Sequence, residues 1–419
     1  MFTPGDIVEL EVGAPAHGGF CVSRVEGRGV CFVSHALPGE LVRARVTEDR
    51  GGSFFRADAI EVLRASPDRV TPPCPHAGPG RCGGCDWQHA SGDAQRRLKE
   101  SVVREQFRRL AKYELPDSFL VEPLPAGSGD EVLLGWRSRI TYAVDEDGRP
   151  GLHRHRSTEV ERIERCPLGV PGVGDSDVLA QQWPGLLGVA VVQDGTGEQA
   201  VIAHRPGVGR QSRGRRPPDR LEVIAGAETL TFRVLGRELQ VAATGFWQVH
   251  PNALHTFTTA LLDGTRPQPG EGVLDLYAGA GALTVALAAA VGQTGRAVGI
   301  ESDHRAVADA ATALAAMPWA RVLPGRLDET SIERMLELAD LSPDVIVLDP
   351  PRAGAGQAVM RALLDRGPRV IGYVACDPAA LARDAAVAFA AGWQLDSLRG
   401  FDAFPMTHHV ECVATFTRL

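Results

Sequence analysis

The chain has 419 residues, 44% hydrophobic and 23% charged, with a formal net charge of −8. This composition is ordinary for a globular protein with room for more than one core, and the negative balance excludes indiscriminate polyanion binding while leaving local arginine patches free to act. Eight cysteines are too sparse for a disulfide scaffold, no apolar run reaches membrane-spanning length and Met1 to Asp6 form no leader, so a reducing, cytoplasmic setting is expected.

Residues 5 to 64 read as short strands: Asp6 to Val12, Phe20 to Val25, Gly29 to Val33, Glu40 to Val46 and Phe54 to Val62. Gly18-Gly19, Pro38-Gly39 and Gly51-Gly52 separate them, and strands this short with turn signals between them predict a small β-barrel over 1–64. Cys21 and Cys31 fall within strands as core residues. A proline-rich and cysteine-rich stretch follows from Ser66 to His89. Then Asp93 to Tyr113 reads as a helix, with Leu98, Val102, Phe107 and Leu110 at helical spacing among arginines. Residues 93–130 are expected to pack on a C-terminal catalytic domain, and 65–92 with 131–235 to form a central α+β domain. Within the latter, Arg205 to Arg220 is a basic loop carrying Arg210, Arg213, Arg215 and Arg216, either a solvated insertion or a nucleic-acid contact.

Cys74, Cys82 and Cys85, joined later by Cys166, supply four thiolates, and Gly83-Gly84 lets the closest pair converge. Four cysteines suit a tetrahedral zinc or a four-iron cluster, and spacing alone favours zinc as the commoner occupant.

Residues 236–419 are expected to form the C-terminal domain; from Gly272 onward strands and helices alternate, the pattern of an α/β domain with a parallel sheet covered on both faces. Trp393 to Leu398 and His409 to Phe416 are two strands joined by a loop, which requires an antiparallel terminal hairpin. That layout belongs to Rossmann-like methyltransferases; dinucleotide dehydrogenases usually continue in parallel. The first strand enters Ala278-Gly279-Ala280-Gly281, a cofactor turn without the third glycine of the dinucleotide fingerprint, so a nucleoside cofactor lacking phosphates fits better. Glu301 follows the second strand, placed for ribose hydroxyls, and Asp349 ends a strand at the ligand crevice.

Cys376 lies where the strand Val370 to Ala375 meets a helix. Asp377 reads as its N-cap, Pro378 as its first residue and Gly392 as its stop. A helix N-terminus favours thiolate and is worth up to ~2 kcal/mol, enough to lower the thiol pKa by about one unit; Asp377 opposes this unless its charge is spent on capping.

Together these motifs resemble the RNA uracil-C5 methyltransferases, in particular the branch with an N-terminal TRAM domain and a four-iron, four-sulfur cluster. The resemblance rests on Phe246-Trp-Gln248, Asp275-Leu-Tyr277-Ala-Gly279-Ala-Gly281, Glu301-Ser302, Asp349-Pro-Pro-Arg352, Cys376-Asp-Pro378 and His409-Val-Glu411. It implies S-adenosylmethionine bound by Gln248, Tyr277, Glu301 and Asp349, with Cys376 as nucleophile and Glu411 as base. It further implies a [4Fe-4S] cluster on Cys74, Cys82, Cys85 and Cys166, reversing the preference for zinc. The implied substrate is ribosomal or transfer RNA offering an extruded or single-stranded uridine, converted to 5-methyluridine; the sequence indicates neither a membrane nor a protein partner. Asp377 stands where the family usually has Asn, and His250 where it often has Asn. The rival readings are a nicotinamide-dependent oxidoreductase, which leaves Cys376 and Glu411 without a task, and a noncatalytic RNA-binding protein with a degenerate fold.

Overall fold

The computed structural model describes residues 1–125, 133–207 and 219–418. Arg210, Arg213, Arg215 and Arg216 of the basic loop lie outside the described residues, as do 126–130 of the segment read as 93–130.

The N-terminal sheet contains β1 (Ile7–Glu11), β2 (Pro15–Ala16), β3 (Phe20–Val25), β4 (Gly29–Ser34), β5 (Leu41–Glu48) and β6 (Phe54–Arg64), in the order β1-β5-β6-β4-β3-β2. Alternation along β5 sets its faces: Val42, Ala44 and Val46 are buried while Arg43 and Arg45 face solvent. Cys21 and Cys31 lie in this core, where burial pushes both thiols up to about 12.

Helix α1 (Gly92–Gln106) starts at Ser91, whose hydroxyl accepts the Ala94 N–H, and runs into a π-helical turn, Phe107–Ala111, ended by left-handed Lys112. The chain then forms β7 (Val121–Pro123), which pairs in parallel with a strand near the C-terminus. Residues 93–130, read as a helical segment packed on the catalytic domain, thus also supply an edge strand to its sheet. Three residues are too short for strand periodicity to show.

A second antiparallel sheet joins β8 (Arg139–Val144), β9 (Pro150–His153), β10 (Val160–Arg162), β11 (Gly188–Gln193), β12 (Gln199–Arg205) and β13 (Arg220–Gly226), in the order β10-β9-β8-β11-β12-β13. Strands β14 (Thr229–Val234) and β15 (Arg237–Ala242) form a separate hairpin. Its turn residues Leu235 and Gly236 both have positive φ, 49° and 77°, as a tight primed turn requires. The expected boundary between 235 and 236 falls inside this turn. The apolar face of the hairpin joins Ala190 and Ile202 of the central sheet to Ala280 and Ala282 of the next domain.

The C-terminal region runs α2 (Ala253–Thr265), β16 (Gly272–Leu276), α3 (Ala282–Val291), β17 (Arg296–Glu301), α4 (His304–Ala313), β18 (Ala320–Pro324), α5 (Ile332–Ala339) and β19 (Val345–Leu348). It continues through α6 (Gln357–Asp365), β20 (Val370–Ala375), α7 (Pro378–Ala390), β21 (Trp393–Asp402) and β22 (Glu411–Arg418). The sheet order is β18-β17-β16-β19-β20-β22-β21-β7, with β22 inserted antiparallel between β20 and β21. Strands β16, β19 and β20 are buried along their whole lengths. Alternate residues feed opposite cores: Leu274, Ile346 and Ile371 one, Val273, Val345 and Val370 the other.

A buried ion pair ties α1 to this sheet. The Lys99 ammonium, fully buried, donates to Asp402 at the end of β21 and to the Phe404 carbonyl at 3.1 Å. Removing one partner strands the other charge in the interior, so Lys99→Met is expected to cost about 3–5 kcal/mol in urea unfolding, and adding Asp402→Leu to recover most of that loss.

Candidate active site

The glycine turn is held from its acidic neighbour. Glu301, last residue of β17, accepts the Gly279 N–H at 2.9 Å with one carboxylate oxygen; the other accepts the N–H groups of Ser302 (2.6 Å) and Asp303 (2.8 Å). Tyr277 enters the turn at φ 63°, unusual for a residue with a Cβ, and is half-buried. Gly281 caps α3 at φ 83°, and a Cβ there would come within 2.8 Å of the Ala310 side chain. The segment bearing Gln248 is fixed from two sides. Arg139 donates to the carbonyls of Ala243 and Gly245, the latter at 2.6 Å, and Asp309 of α4 accepts the Ala242 N–H at 3.0 Å. Trp247 stacks on Phe232, with ring centroids 4.4 Å apart, and packs in the cluster that includes Ala280 and Ala282. One Trp247 face is therefore occupied, and the exposed aromatic of this segment is its neighbour Phe246, 73% exposed.

Asp349 directly follows β19 at the same edge. Asp384 of α7 orders the loop that follows it, accepting the Ala355 N–H at 2.8 Å and the Tyr373 hydroxyl at 2.7 Å. Cys376 leaves β20 into α7, where Asp377 caps the helix by accepting the Ala380 N–H at 2.7 Å. The other Asp377 oxygen meets His17 Nε2, from the N-terminal sheet, at 2.9 Å. Register brings Glu411 near the thiol: Ala375 pairs with Cys412, so Cys376 and Glu411 flank that pair on their two chains, and the Glu411 carboxyl acts on the thiol through its field. Glu411 is 2% exposed, not the water-facing residue an edge strand would give. A cavity of about 90 Å³ opens here, lined among others by Cys376, Arg352, His17, His408 and His409.

The electrostatics depart from the helix-terminus expectation. Burial first, then the negative fields of Glu411 and Asp349, push the Cys376 thiol up to about 12; Arg352 opposes them. Burial and Asp349 raise Glu411 well above the usual carboxylate range, and burial pushes Asp349 up to about 7. Asp275, buried with one oxygen unpartnered, is likewise pushed up to about 7 by burial. Burial lowers His409 to about 3 and His250, stacked on Trp136, to about 4, so both imidazoles are neutral.

The four cluster cysteines lie apart from this cavity. Cys74, Cys82, Cys85 and Cys166 line a separate cavity of about 180 Å³ against β8 and β9. Two links connect the sites: Asp86 accepts the N–H and Nδ1–H of His408, and the Asp86 and Trp87 N–H groups donate to the Met406 carbonyl, both at 3.0 Å. Sequence reading missed His17 and Asp86 because their partners lie 360 and 322 residues away.

With the thiol raised to about 12, alkylation of Cys376 in the ligand-free protein is expected to accelerate about tenfold per pH unit between pH 7 and 9. Peptide mass spectrometry of iodoacetamide-treated protein checks this; a plateau below pH 9 contradicts it.

Comparison with known proteins agrees with this architecture. The family described as tRNA (Uracil-5-)-methyltransferase matches residues 232–419, and the TRAM domain matches residues 2–58. An uncharacterized RNA methyltransferase of Streptomyces avermitilis is 45% identical over 98% of both chains. One of Streptomyces coelicolor is 44% identical, covering 98% of this chain and 92% of its own. The solved tRNA (uracil-54, C5)-methyltransferase of Pyrococcus abyssi shares the fold, with TM-score 0.68 at 20% identity over 97% of this chain and 99% of its own. No helix among the described residues is long and apolar enough to cross a membrane. The chain belongs to the S-adenosylmethionine-dependent RNA uracil-C5 methyltransferases and carries a TRAM domain.

Proposed function

We propose that this enzyme methylates carbon 5 of a uridine in ribosomal or transfer RNA through a transient bond between Cys376 Sγ and carbon 6. The observation that supports this reading is the register of β20 and β22, whose Ala375–Cys412 pair is flanked by a thiol and a buried carboxyl close to the strand ends that carry the glycine turn and Asp349. Carbon 5 of uracil is a weak nucleophile. Addition of the Cys376 thiolate at carbon 6 places the electron pair of the 5,6 double bond on carbon 5 as an enolate. S-adenosylmethionine, when bound, supplies an electrophilic methyl group to that carbon. Glu411 then removes the remaining proton from carbon 5, and the electrons of that C–H bond restore the double bond as sulfur leaves carbon 6. Burial raises the pKa of Glu411, so once ionised it is a stronger base than an exposed carboxylate.

Gln248, Tyr277, Glu301 and Asp349 are the residues proposed to hold the donor. Glu301 holds the Gly279 N–H across the two strand ends and would accept ribose hydroxyls, while Asp349 lies near enough to the thiol to act on it electrostatically. The uridine must leave its stack to expose carbon 6, and the TRAM sheet with exposed Phe246 offers surfaces for the flanking strand. These roles, and a setting in the cytoplasm, are proposed from the sequence motifs and composition.

Cys74, Cys82, Cys85 and Cys166 are proposed to hold a [4Fe-4S] cluster. All four line one cavity of about 180 Å³, which supports a shared centre, and the choice of iron and sulfide over zinc rests on the family motif. Such a cluster would cross-link the loop carrying Asp86 to the central sheet; no step of the methylation requires it.

Three outcomes test the reading. Cys376→Ala is expected to abolish both methyl transfer from tritiated donor and any covalent RNA adduct, and an adduct that persists would reject the nucleophile. Glu411→Gln is expected to accumulate a methylated adduct visible as a gel-shifted species, because proton removal stalls; normal turnover would remove Glu411 from the mechanism. Anaerobically purified protein is expected to be brown with about four irons per chain, whereas colourless protein with one zinc would overturn the cluster assignment.

A further inference from the structure

Three side chains outside both sites converge where the TRAM domain meets the central sheet. His35 follows the end of β4, whose Ser34 pairs with Asp58 of β6, so the imidazole and the carboxylate leave neighbouring strands of one sheet. His155 comes from the connection between β9 and β10 in the central domain. One ligand atom from each of His35, Asp58 and His155 lies within 4.8 Å of the other two, and all three residues are half-buried. The His35 and His155 rings meet edge to face, with centroids 5.9 Å apart.

This convergence lacks an internal explanation. Among the described residues no hydrogen bond or ion pair joins the three groups, and the buried Nε2 of His35 has no partner. A buried imidazole nitrogen without a partner costs stability, and a half-buried carboxylate beside two imidazoles calls for positive charge. The neighbouring cations do not supply it by contact: Arg69 is engaged by Glu40 and the His35 carbonyl, and Arg156 lies over the ring of Phe20.

We infer that His35, Asp58 and His155 bind a divalent transition-metal ion of the zinc class, which joins the TRAM domain to the cysteine-bearing domain. Two neutral imidazoles and one carboxylate form an N,N,O donor set suited to zinc, leaving a fourth position for water. Zinc bonds of about 2.0–2.2 Å place such donors roughly 3.4 Å apart, a contraction that side-chain rotation can provide. The joint would reach the cysteine loop directly. The His155 N–H donates to the Arg81 carbonyl at 2.9 Å, and a Cβ on Gly83 would come within 2.8 Å of the His155 backbone. A metal here would therefore brace the Cys82 to Cys85 segment against the TRAM sheet, using binding energy gained only in the folded state.

The test uses the full chain, purified anaerobically with its iron retained, titrated with Zn²⁺ and dialysed before metal counting. One zinc per chain beyond the iron is expected. Loss of a bound ligand should exceed the roughly 10–100-fold cost of losing an outer-shell partner, so His155→Ala and Asp58→Asn should each weaken zinc binding by more than about 100-fold with the iron count unchanged. Zn²⁺ should raise the thermal midpoint of the wild type and leave that of Asp58→Asn, a near-isosteric change, where it was. Co²⁺ in place of zinc should give ligand-field bands without thiolate-to-cobalt charge transfer. Wild-type protein that takes up no zinc beyond its cysteines, variants that bind as tightly as wild type, or a thiolate-to-cobalt band lost on cysteine substitution would each overturn the assignment.

Discussion

The antiparallel register between β20 and β22 is the constraint on which the active-site edge depends. Side chains alternate faces along a strand, so a slip of one residue would carry Glu411 away from Cys376 and turn Cys412 toward it. Burial protects against that slip. Val413 packs in one core, while Ala414 and Phe416 pack in the other. The hydrophobic pattern of the terminal strand thus fixes a polar pair at its first residue. The insertion of β22 between β20 and β21 matters equally, because it places Glu411 inside the sheet, where its carboxyl is desolvated.

Desolvation explains why the ligand-free site holds its groups in unreactive states. Asp275, Asp349 and Glu411 lie toward one edge of the sheet, and burial keeps all three carboxyls above the usual range, with the field of Asp349 adding to the rise of the other two. The same field holds Cys376 as a thiol. Low dielectric magnifies the effect of any charge that enters. In the proposed mechanism, a cationic sulfonium bound among these acids would favour their ionised forms and the Cys376 thiolate together. The helix N-terminus beside Cys376 is real, yet its contribution of up to ~2 kcal/mol is smaller than the combined effect of burial and neighbouring carboxylates.

Local pattern made much of the fold legible. The alternation of β5, the cap formed by Asp377 and Pro378 on α7, and the loop-joined terminal strands were readable because each is decided within about ten residues. Three-residue β7 was not, since only its pairing with β21 makes it a strand. The hairpin of β14 and β15 was divided by a domain boundary because the apolar face of one strand gives no sign of its partner. At the site, the motifs named the residues near the glycine turn and the thiol, but burial of Glu411 and the raised thiol are tertiary effects with no sequence signature. Nor could His17 be matched with Asp377, since a contact spanning 360 residues is created only by the fold.

That last contact bears on how the domains act together. Asp377 replaces the family's usual Asn next to the proposed nucleophile, adding a negative charge that by itself would oppose a thiolate. One oxygen is occupied by the Ala380 N–H and the other by His17, so the charge is drawn into a cap and an interdomain contact. Nearby, Asp86 accepts from the N–H and Nδ1–H of His408, three residues before Glu411. The proposed reacting edge is therefore held by a TRAM-domain contact beside Cys376 and by a cysteine-loop contact on the segment that leads to Glu411. Neither contact supplies a reacting group. Both restrict the loops on which those groups depend, and misplacement by about 1 Å can cost about 100-fold in rate. A methyltransferase domain of this kind would gain from remaining attached to its accessory domains even on substrates that those domains do not touch.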